Sequence, residues 1–347
     1  MKVLLLSDFF LSGQTTHVLE LAKQLKRLKI EPQIAFGTIH TRLFWSDYVP
    51  YLLQHKLPFC HGLSLGALTI QSRLWQPDLI HVQSSTLFHS AQILAYRLGI
   101  PFVVTCHGLG FSQARFRRYL AAASAIIAIG PRVAEELQEF KQKTQIIPNG
   151  VDTEVFTPPE KQTGPRRALL YVGRLEKKRL EPLRYLAEAN SLLVGTPLKI
   201  ISNFDPQIPG TTYLPWQVNL VPHLQKSGIV AACGRTAREA LSCGNAVLLM
   251  QRAYDGVISP PLVKLPDFDF SGNLGRFDLA DLKYDLHALL HRPHRLKKLQ
   301  SFGRSYAEKH LSSADMAAKT AALYELVLKS PKKTPPPGWG STTQSGW

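Results

Sequence analysis

Short apolar runs alternate with amphipathic stretches through the first half of the chain. Residues 2–8 (KVLLLSD) are an apolar run, and residues 16–28 (THVLELAKQLKRL) place apolar side chains on one helical face and basic ones on the other. Further strands are predicted at PQIAFG, PDLIHVQ, PFVVTCH, ASAIIAIG and TQIIPNG, with helices at HSAQILAYRLG and PRVAEELQEF. Continuous apolar strands separated by helices are typical of a parallel sheet that is covered on both faces.

The same alternation restarts in the second half. Strands are predicted at RALLYVGR, PLKIIS, TTYLPW, SGIVAAC and NAVLLM, with helices at EPLRYLAEANSLL and TAREALSCG. At 347 residues the chain exceeds the roughly 250–300 residues that one core supports. The pattern therefore predicts an α/β protein of two tandem Rossmann-like, doubly wound domains that face each other across a cleft.

Domain boundaries follow from the same pattern. We expect domains at residues 1–150 and 151–310, then a helix at 311–328 that packs back towards the first domain. Residues 329–347, rich in Pro, Gly and Ser, are predicted to be disordered. The segment IIPNGVDTEVFTP (146–158) lies at the junction, where Pro148-Asn149-Gly150 ends a strand and turns the chain into the second domain.

Composition narrows the classes of partner. The net charge of +16 indicates anionic partners, namely phosphates, nucleic acid or an acidic membrane face. No apolar run reaches the roughly 20 residues that a membrane span needs, and the N-terminal run is a first strand, too short for a secretory signal. The four cysteines show no metal-ligand spacing, which favours buried free thiols in a reducing, cytoplasmic compartment: Cys60, Cys106, Cys233 and Cys243.

Candidate chemistry lies where predicted strands end, because open α/β sheets bind ligands at that edge. Gly13 follows the first strand, and the next helix offers backbone amides to an anion. Arg174 ends the first strand of the second unit, with Lys177, Lys178 and Arg179 close behind. Cations at this edge stabilise the charge that grows on a diphosphate leaving group. For the Gly13 segment the alternative is an ordinary loop before a capped helix. For Arg174 and its basic neighbours the alternative is a solvated basic loop.

A third candidate site is CGRTAREALSCG. Gly234, Arg235 and Thr236 precede a helix that carries Glu239. A cleft-facing carboxylate accepts hydrogen bonds from sugar or ribose hydroxyls, whereas on an exposed helix face it would have no such role.

Together these motifs resemble the retaining glycosyltransferases of family 4 (glycosyl transferases group 1), which have the GT-B fold. The resemblance covers about residues 1–328 and depends on the order and spacing of six segments: MKVLLLSDFF…SGQTTHVLELAKQL, PDLIHVQ, IPFVVTCHG, IIPNGVDTEVFTP, YVGRLEKKR and GRTAREALSCGNAVLL. It implies a nucleotide-diphospho-sugar donor held mainly by the second domain, an acceptor site mainly in the first, and no required cofactor or metal.

The resemblance also implies roles for individual residues. Arg174 matches the arginine on the donor diphosphate, and the family lysine falls at Arg179 or one residue earlier at Lys178. Gly13 and Gly173 match glycines of the phosphate loops, with Gly234, Arg235 and Thr236 in the donor-binding segment. His107 matches a histidine near the reacting sugar, and Glu239 matches the second glutamate of a pair, which contacts the ribose. The implied mechanism is front-face attack with retention, which needs no protein nucleophile.

One departure concerns the first glutamate of that pair. Eight residues before Glu239 the chain has Ala231, which puts the sugar identity and the activity in question. Two alternatives therefore stay open: a non-catalytic nucleotide-sugar or glycan-binding protein, and a nucleotide-sugar epimerase of the same fold. No nucleic-acid partner is expected, because only the net charge indicates one and the chain lacks an RNA- or DNA-binding module.

Four further patterns give weaker indications of function. The Asp267-Phe268-Asp269 triplet lacks the context of a metal site, and His287 and His291 lack a carboxylate partner. Gly108-Leu109-Gly110 lacks the third glycine of a dinucleotide motif. A basic amphipathic segment carries Arg115, Phe116, Arg117 and Arg118, and we hypothesise that it contacts an anionic membrane at its inner face, against the alternative of a simple basic helix.

Overall fold

The computed structural model of the protein describes residues 1–160, 166–194 and 197–330. Within them, the first sheet has the strand order β3-β2-β1-β4-β5-β6-β7, and all its neighbouring strands are parallel. Its strands are β1 Lys2–Phe9, β2 Glu31–Ile39, β3 Phe59–His61, β4 Leu79–Val82, β5 Phe102–Cys106, β6 Ala125–Ala128 and β7 Thr144–Ile146. Its helices are α1 Gly13–Arg27, α2 Val49–Gln54, α3 Leu65–Trp75, α4 Phe88–Leu98, α5 Ala114–Ala122 and α6 Pro131–Glu136.

The second sheet has the order β10-β9-β8-β11-β12-β13, and only its edge strand β13 runs antiparallel. Its strands are β8 Leu169–Val172, β9 Leu198–Ser202, β10 Thr211–Pro215, β11 Ile229–Ala232, β12 Ala246–Met250 and β13 Tyr254–Val257. The remaining helices are α7 Lys177–Val194, α8 Val221–Lys226, α9 Gly234–Ser242, α10 Leu279–His291, α11 Pro293–His310 and α12 Ser313–Lys329. The two parallel-dominated sheets with alternating helices confirm the predicted fold class.

Side-chain alternation along each strand builds a core on both faces of the sheets. In β1, Val3 and Leu5 join a cluster with α1 and α12, whereas Leu4 and Leu6 join a cluster with α3, α4 and α5 on the opposite face. In the second sheet, α7 and α10 cover one face, and α8 and α9 cover the other. This two-sided burial explains why the strands are continuous apolar runs.

The last helix returns to the first sheet. Helix α12 packs against α1, and Met316, Ala317 and Tyr324 are buried in the first sheet's core. The predicted disordered tail lies outside the described residues from residue 331 onwards.

The junction between the sheets consists of two chain crossings that hydrogen-bond to each other. Val151 N donates to the Leu311 carbonyl at 2.7 Å, and Ser313 N donates to the Val151 carbonyl at 2.9 Å. Gly150 sits directly against the second crossing: a Cβ at this position would lie 2.5 Å from Ser313 Cα and 2.8 Å from the Ser312 carbonyl oxygen. The glycine of the Pro-Asn-Gly turn therefore permits close backbone contact between the crossings.

Replacing Gly150 with alanine is expected to lower the free energy of unfolding by about 2–3 kcal/mol. Backbone atoms obstruct the new methyl group, so relief requires movement of a whole crossing. Chemical denaturation measures the change. Gly108→Ala is the matched control, because no atom lies within 4 Å of a Cβ there. Equal stability of the two variants would contradict the close-contact explanation.

Candidate functional site

Both sheets present their candidate residues at the point where the strand order reverses. In the first sheet, β1 and β4 are neighbours across the reversal, and the loop to Gly13 follows β1. In the second sheet, β8 and β11 are the corresponding pair, followed by Arg174 and Gly234. Crevices at such reversals are the usual ligand sites of open α/β sheets. The two crevices meet, because a Cβ on Gly13 would lie 3.5 Å from the Cβ of Arg235.

A chain of polar side chains, buried except for the half-buried His107, crosses the first crevice. His107 Nε2 lies 2.7 Å from Gln83 Oε1, and the Gln83 amide nitrogen lies 3.1 Å from His81 Nε2. His81 Nδ1 in turn lies 2.6 Å from the hydroxyl of Tyr324 on α12. Burial lowers the pKa of His107 and of His81 to about 3, so both imidazoles are neutral near pH 7. A neutral His107 is suited to hydrogen-bond a sugar hydroxyl without adding charge.

His17 is a further candidate site residue, which the sequence motifs did not indicate. It lies one turn after Gly13 on α1, its ring centroid is 4.8 Å from that of His107, and neither of its buried ring nitrogens has a partner among the described residues. Burial is the main cause that lowers the pKa of His17 well below its usual value, and the nearby His107 lowers it further. The helical spacing of SGQTTHV was the available signal, because a residue four positions after Gly13 lies on the same helix face.

The free energy of unfolding is expected to fall as the pH drops below about 6.5, and His81 is expected to contribute to this fall. The unfolded state takes up a proton near that pH, whereas folded His81 resists protonation down to about pH 3. The free energy of unfolding should therefore decrease by about 1 kcal/mol for this histidine between pH 7 and pH 5.5. Glu239, whose pKa is raised by burial, acts in the opposite direction. Urea denaturation of the wild type and of His81→Gln at both pH values isolates the histidine; equal pH dependence would contradict the assignment.

The second crevice holds a network of arginines around Glu176. Arg174 Nη2 lies 2.7 Å from Glu176 Oε1, and Arg252 Nη2 lies 3.4 Å from Glu176 Oε2. Arg179 Nη1 donates to the Arg174 carbonyl at 2.6 Å. Hydrogen bonding from Arg174 is the largest cause that lowers the pKa of Glu176. One carboxylate thus offsets part of the positive charge of three guanidinium groups.

The structure distinguishes the two cations that the family resemblance left open. Lys177, Lys178 and Arg179 form the first turn of α7, a position where cations oppose the helix dipole. The Lys178 side chain is exposed, whereas that of Arg179 is 12% exposed and acts electrostatically on Cys233, next to Gly234. Arg179 therefore lies between the two crevice-forming loops of the second sheet, and Lys178 points to solvent.

Helix α9 places its polar residues at the junction. Gly234 has a φ of +57°, a left-handed conformation that favours glycine, and its N–H donates to the Phe270 carbonyl at 2.6 Å. Arg235 Nε donates to Glu239 Oε1 at 2.7 Å, and Arg235 Nη1 donates to the Gly150 carbonyl at 3.2 Å. Both side chains of this ion pair are buried, while Thr236 is half-buried. The Arg235 side chain is thus committed to contacts within the protein.

The interpretation of Ala231 as a replaced glutamate needs correction. Ala231 lies inside strand β11, is fully buried and pairs with Leu248 and Tyr171 of the neighbouring strands. A single residue, Cys233, separates β11 from α9. A position within the sheet interior has no access to a sugar. Ala231 is therefore not a donor-facing position, and only one residue connects its strand to α9.

Both aspartates of the Asp267-Phe268-Asp269 triplet form ion pairs with arginines. Asp267 lies 2.7 Å from an Arg276 nitrogen, and Asp269 lies 2.6 Å from Arg132 Nη1 on α6, which links the two sheets' domains. Nearby, the buried guanidinium of Arg238 lies 4.1 Å from the Phe270 ring centroid. Among the described residues, no cluster of three or more His, Cys, Asp or Glu side chains is arranged to hold a metal ion. No helix in the same part of the chain combines the length and apolarity that crossing a membrane requires.

Comparisons with known proteins agree with this architecture. Residues 11–155 match the family described as Glycosyltransferase Family 4. No curated protein matches the chain.

Three solved structures superimpose along almost the whole chain. A glycosyltransferase from Rickettsia africae ESF-5 is 17% identical, with a TM-score of 0.73 over 95% of this chain and 99% of its own. HepE from Anabaena, crystallised with UDP and glucose, is 14% identical, with a TM-score of 0.70 over 94% and 100%. The pneumococcal O-GlcNAc transferase GtfA, in complex with UDP and GlcNAc, is 10% identical, with a TM-score of 0.69 over 95% and 99%. At these identities the likeness establishes the GT-B fold.

Proposed function

We propose that this chain, whose residues 11–155 match the family described as Glycosyltransferase Family 4, transfers a hexose-type sugar from a nucleotide-diphospho-sugar. The acceptor is a cell-surface glycan, a lipid or a polysaccharide, and the anomeric configuration is retained. The observation that carries the proposal is the meeting of two crevices, one with neutral His107 and the other with Arg174 and Arg179. UDP-sugar components in the HepE and GtfA complexes suggest UDP as the first nucleotide to test.

The donor diphosphate is assigned to the second crevice. Arg174 and Arg179 would contact the phosphates, and the first turn of α7 with the N-terminus of α9 would supply backbone amides. Negative charge accumulates on the diphosphate as the bond to the sugar lengthens. The cations stabilise this charge more in the transition state than in the ground state, which is the condition for catalysis. Gly173 and Gly13 leave room for backbone approach.

Glu239 is assigned to the donor ribose, and Arg235 is its positioning residue. Arg235 holds the Glu239 carboxylate from one side, which leaves its second oxygen available to a ribose hydroxyl. We assign no diphosphate contact to the Arg235 side chain, because Glu239 and the Gly150 carbonyl already occupy it. Gly234 and Thr236 contribute through the start of α9.

Retention by front-face attack is supported by the state of the carboxylates at the junction. Asp8 accepts hydrogen bonds from Thr38 N at 2.8 Å and from the Thr86 hydroxyl. Glu239 is paired with Arg235. We assign neither as a nucleophile on the sugar, because Asp8 is engaged by Thr38 and Thr86 and Glu239 is assigned to the ribose. The acceptor hydroxyl would attack on the face that the diphosphate leaves. Neutral His107 would orient a sugar hydroxyl during this step.

Contact with an anionic membrane at its inner face is assigned to helix α5. Arg115 and Arg118 are exposed there, whereas Arg117 is paired with Glu139 at 2.6 Å. Phe116 packs on Phe111, with ring centroids 5.2 Å apart, and is half-buried. The contribution of α5 would therefore be mainly electrostatic, with the enzyme otherwise in the cytoplasm.

A non-catalytic nucleotide-sugar-binding protein is the second candidate, favoured by the one-residue connection between β11 and α9. Thermal-shift measurements with UDP-, GDP- and ADP-sugars, and with the free diphosphates, test the shared donor site. Stabilisation by one nucleotide series is expected, and no shift from any of them would contradict both candidates. Release of the free diphosphate in the presence of acceptor glycans then separates them: donor binding without turnover would favour the non-catalytic protein.

A further inference from the structure

Arg238 on α9 carries a buried charge without an acceptor. Its side chain is 8% exposed, and its guanidinium lies 4.1 Å from the Phe270 ring centroid. Within residues 1–160, 166–194 and 197–330, Arg238 forms no hydrogen bond and no ion pair, and its Nε is buried without a partner. Burial is the main cause that lowers its pKa to about 10, so the side chain is still charged at pH 7. Buried charges are normally paired, which makes this one an exception that requires an explanation.

The surroundings of Arg238 compensate its charge only in part. Asp269 acts electrostatically on it, but the two carboxylate oxygens of Asp269 are engaged elsewhere. Oδ2 lies 2.6 Å from Arg132 Nη1, and Oδ1 accepts from Ser271 N at 2.8 Å. Contact with the Phe270 ring contributes less than the removal of a guanidinium from water costs. Arg238 therefore has unused hydrogen-bond donors.

A second buried polar side chain with unused capacity lies at the same junction. Arg238 acts electrostatically on Cys233, which precedes α9, and on His17 of α1 in the first domain. His17 is 4% exposed, and neither of its ring nitrogens has a partner in the described part of the chain. Its ring also contacts that of His107. Buried polar groups left unpaired on both sides of one crevice indicate a ligand that bonds to both.

We propose that Arg238 and His17 form a subsite for an acidic group, a carboxylate or a phosphate, of the sugar substrate that reacts at the junction. A guanidinium held over an aromatic ring still donates from its edge, and its paired N–H groups match the oxygens of a carboxylate or phosphate. A neutral imidazole adds one further donor. The inference rests on the proposed sugar transfer and specifies an acidic sugar as its substrate.

The acidic group is distinct from the donor diphosphate. The diphosphate is assigned to Arg174, which follows β8, and to Arg179 in the first turn of α7, whereas Arg238 lies one turn into α9 against Phe270. The group can belong to the donor sugar, as in a nucleotide-linked hexuronic acid, or to an acidic acceptor. Both sources place the same negative charge beside Arg238, and separate probes distinguish them.

Titration calorimetry of the full chain with UDP, UDP-glucose and UDP-glucuronate tests the donor as the source. If the donor carries the acid, the wild type should bind UDP-glucuronate about tenfold more tightly than UDP-glucose, the ratio expected of a charged hydrogen bond. Arg238→Met should abolish this ratio and leave the affinity for UDP unchanged. Arg295→Met is the matched control, because Arg295 is a half-buried arginine of the same domain that pairs with Asp285 on α10 at 2.9 Å.

Free D-glucuronate and inorganic phosphate, titrated with and without saturating UDP, test the acceptor as the source. Both anions should stabilise the wild type in thermal-shift measurements, glucose should not, and Arg238→Met should lose the effect. His17→Phe keeps a ring and removes both nitrogens, so it should weaken the same binding by about fivefold. Binding that Arg238→Met abolishes in either experiment supports the subsite, and the probe that responds identifies the source.

The stability of the ligand-free variant separates a binding role from a packing role. Arg238→Met removes an unpaired buried charge and keeps an apolar contact with Phe270, so the melting temperature should rise by about 2 °C or more. Arg304→Met is the matched comparison and should lower it, because the Arg304 guanidinium donates to the Thr153 and Ser242 carbonyls.

Three results would overturn the proposal. One is that no probe distinguishes the wild type from Arg238→Met. Another is that Arg238→Met loses affinity for UDP as much as for UDP-glucuronate, which would place Arg238 on the diphosphate. The third is a lower melting temperature of Arg238→Met, which would assign the residue to packing on Phe270. A lack of binding by every nucleotide would contradict the proposed function instead, and the titrations with free anions would still test the subsite.

Discussion

Arg235→Ala is expected to lower the free energy of unfolding by about 3–5 kcal/mol, the cost of leaving one member of a buried ion pair without its partner. Arg235 and Glu239 are both nearly inaccessible to water, and the guanidinium also donates to the Gly150 carbonyl. Removing the arginine leaves a buried carboxylate and an unsatisfied carbonyl at the junction of the two domains. Chemical denaturation at pH 7 measures the loss.

A double-mutant cycle distinguishes pairing from simple loss of volume. Glu239→Gln removes the charge and keeps the shape, so Arg235→Ala/Glu239→Gln should be more stable than Arg235→Ala alone. Lower pH should have a similar effect on the single variant, because burial raises the pKa of Glu239 and protonation neutralises it. The outcome that would contradict this explanation is a double variant less stable than Arg235→Ala, with the losses in free energy of unfolding of the two single variants simply adding. The unpaired Glu239 carboxylate would then not be the cause of the instability.

Arg174→Ala is expected to weaken binding of the nucleotide-sugar donor by about 10- to 100-fold, since a hydrogen bond to a charged group contributes ~1.5–3 kcal/mol. In the ligand-free protein this arginine is half-exposed and paired with Glu176, so a diphosphate can compete for it. Because the Arg174 side chain is half-exposed, its removal should leave the fold unaffected. Titration calorimetry with the nucleotide identified by thermal shift measures the affinity.

Arg252→Ala is the matched control for this variant. Arg252 is also a half-exposed arginine that pairs with Glu176, at 3.4 Å. If general positive charge around Glu176 attracts the donor, the two variants should lose affinity equally. A loss confined to Arg174→Ala would support direct contact with the diphosphate, whereas unchanged affinity in folded Arg174→Ala would contradict it.

The positions of some candidate site residues at strand ends could be predicted, because their signal is local. His107 and Arg174 follow apolar runs that read as strands, and a strand's end identifies the edge of the sheet where ligands bind. Residue order is sufficient for this inference. The choice between Lys178 and Arg179 was not accessible in the same way, because it depends on which side chain of one helical turn faces the sheet.

Counting positions from a motif placed the expected glutamate inside a strand of the sheet. Eight residues before Glu239 is a meaningful position only if the connection between strand and helix has a constant length. Here that connection is one residue, and the count falls on Ala231 inside β11. His17 was missed for a different reason: its unpartnered nitrogens and its contact with His107 arise from packing between distant segments.

The sequence by itself determined the two tandem α/β units and the turn at Pro148-Asn149-Gly150, because apolar periodicity and turn chemistry are properties of neighbouring residues. Tertiary structure alone decided which polar groups meet across the junction. The contacts of Arg235 with the Gly150 carbonyl, and of His81 with Tyr324 from the last helix, join residues far apart in the chain. Such contacts depend on how whole elements pack, and the buried groups must find partners wherever the fold places them.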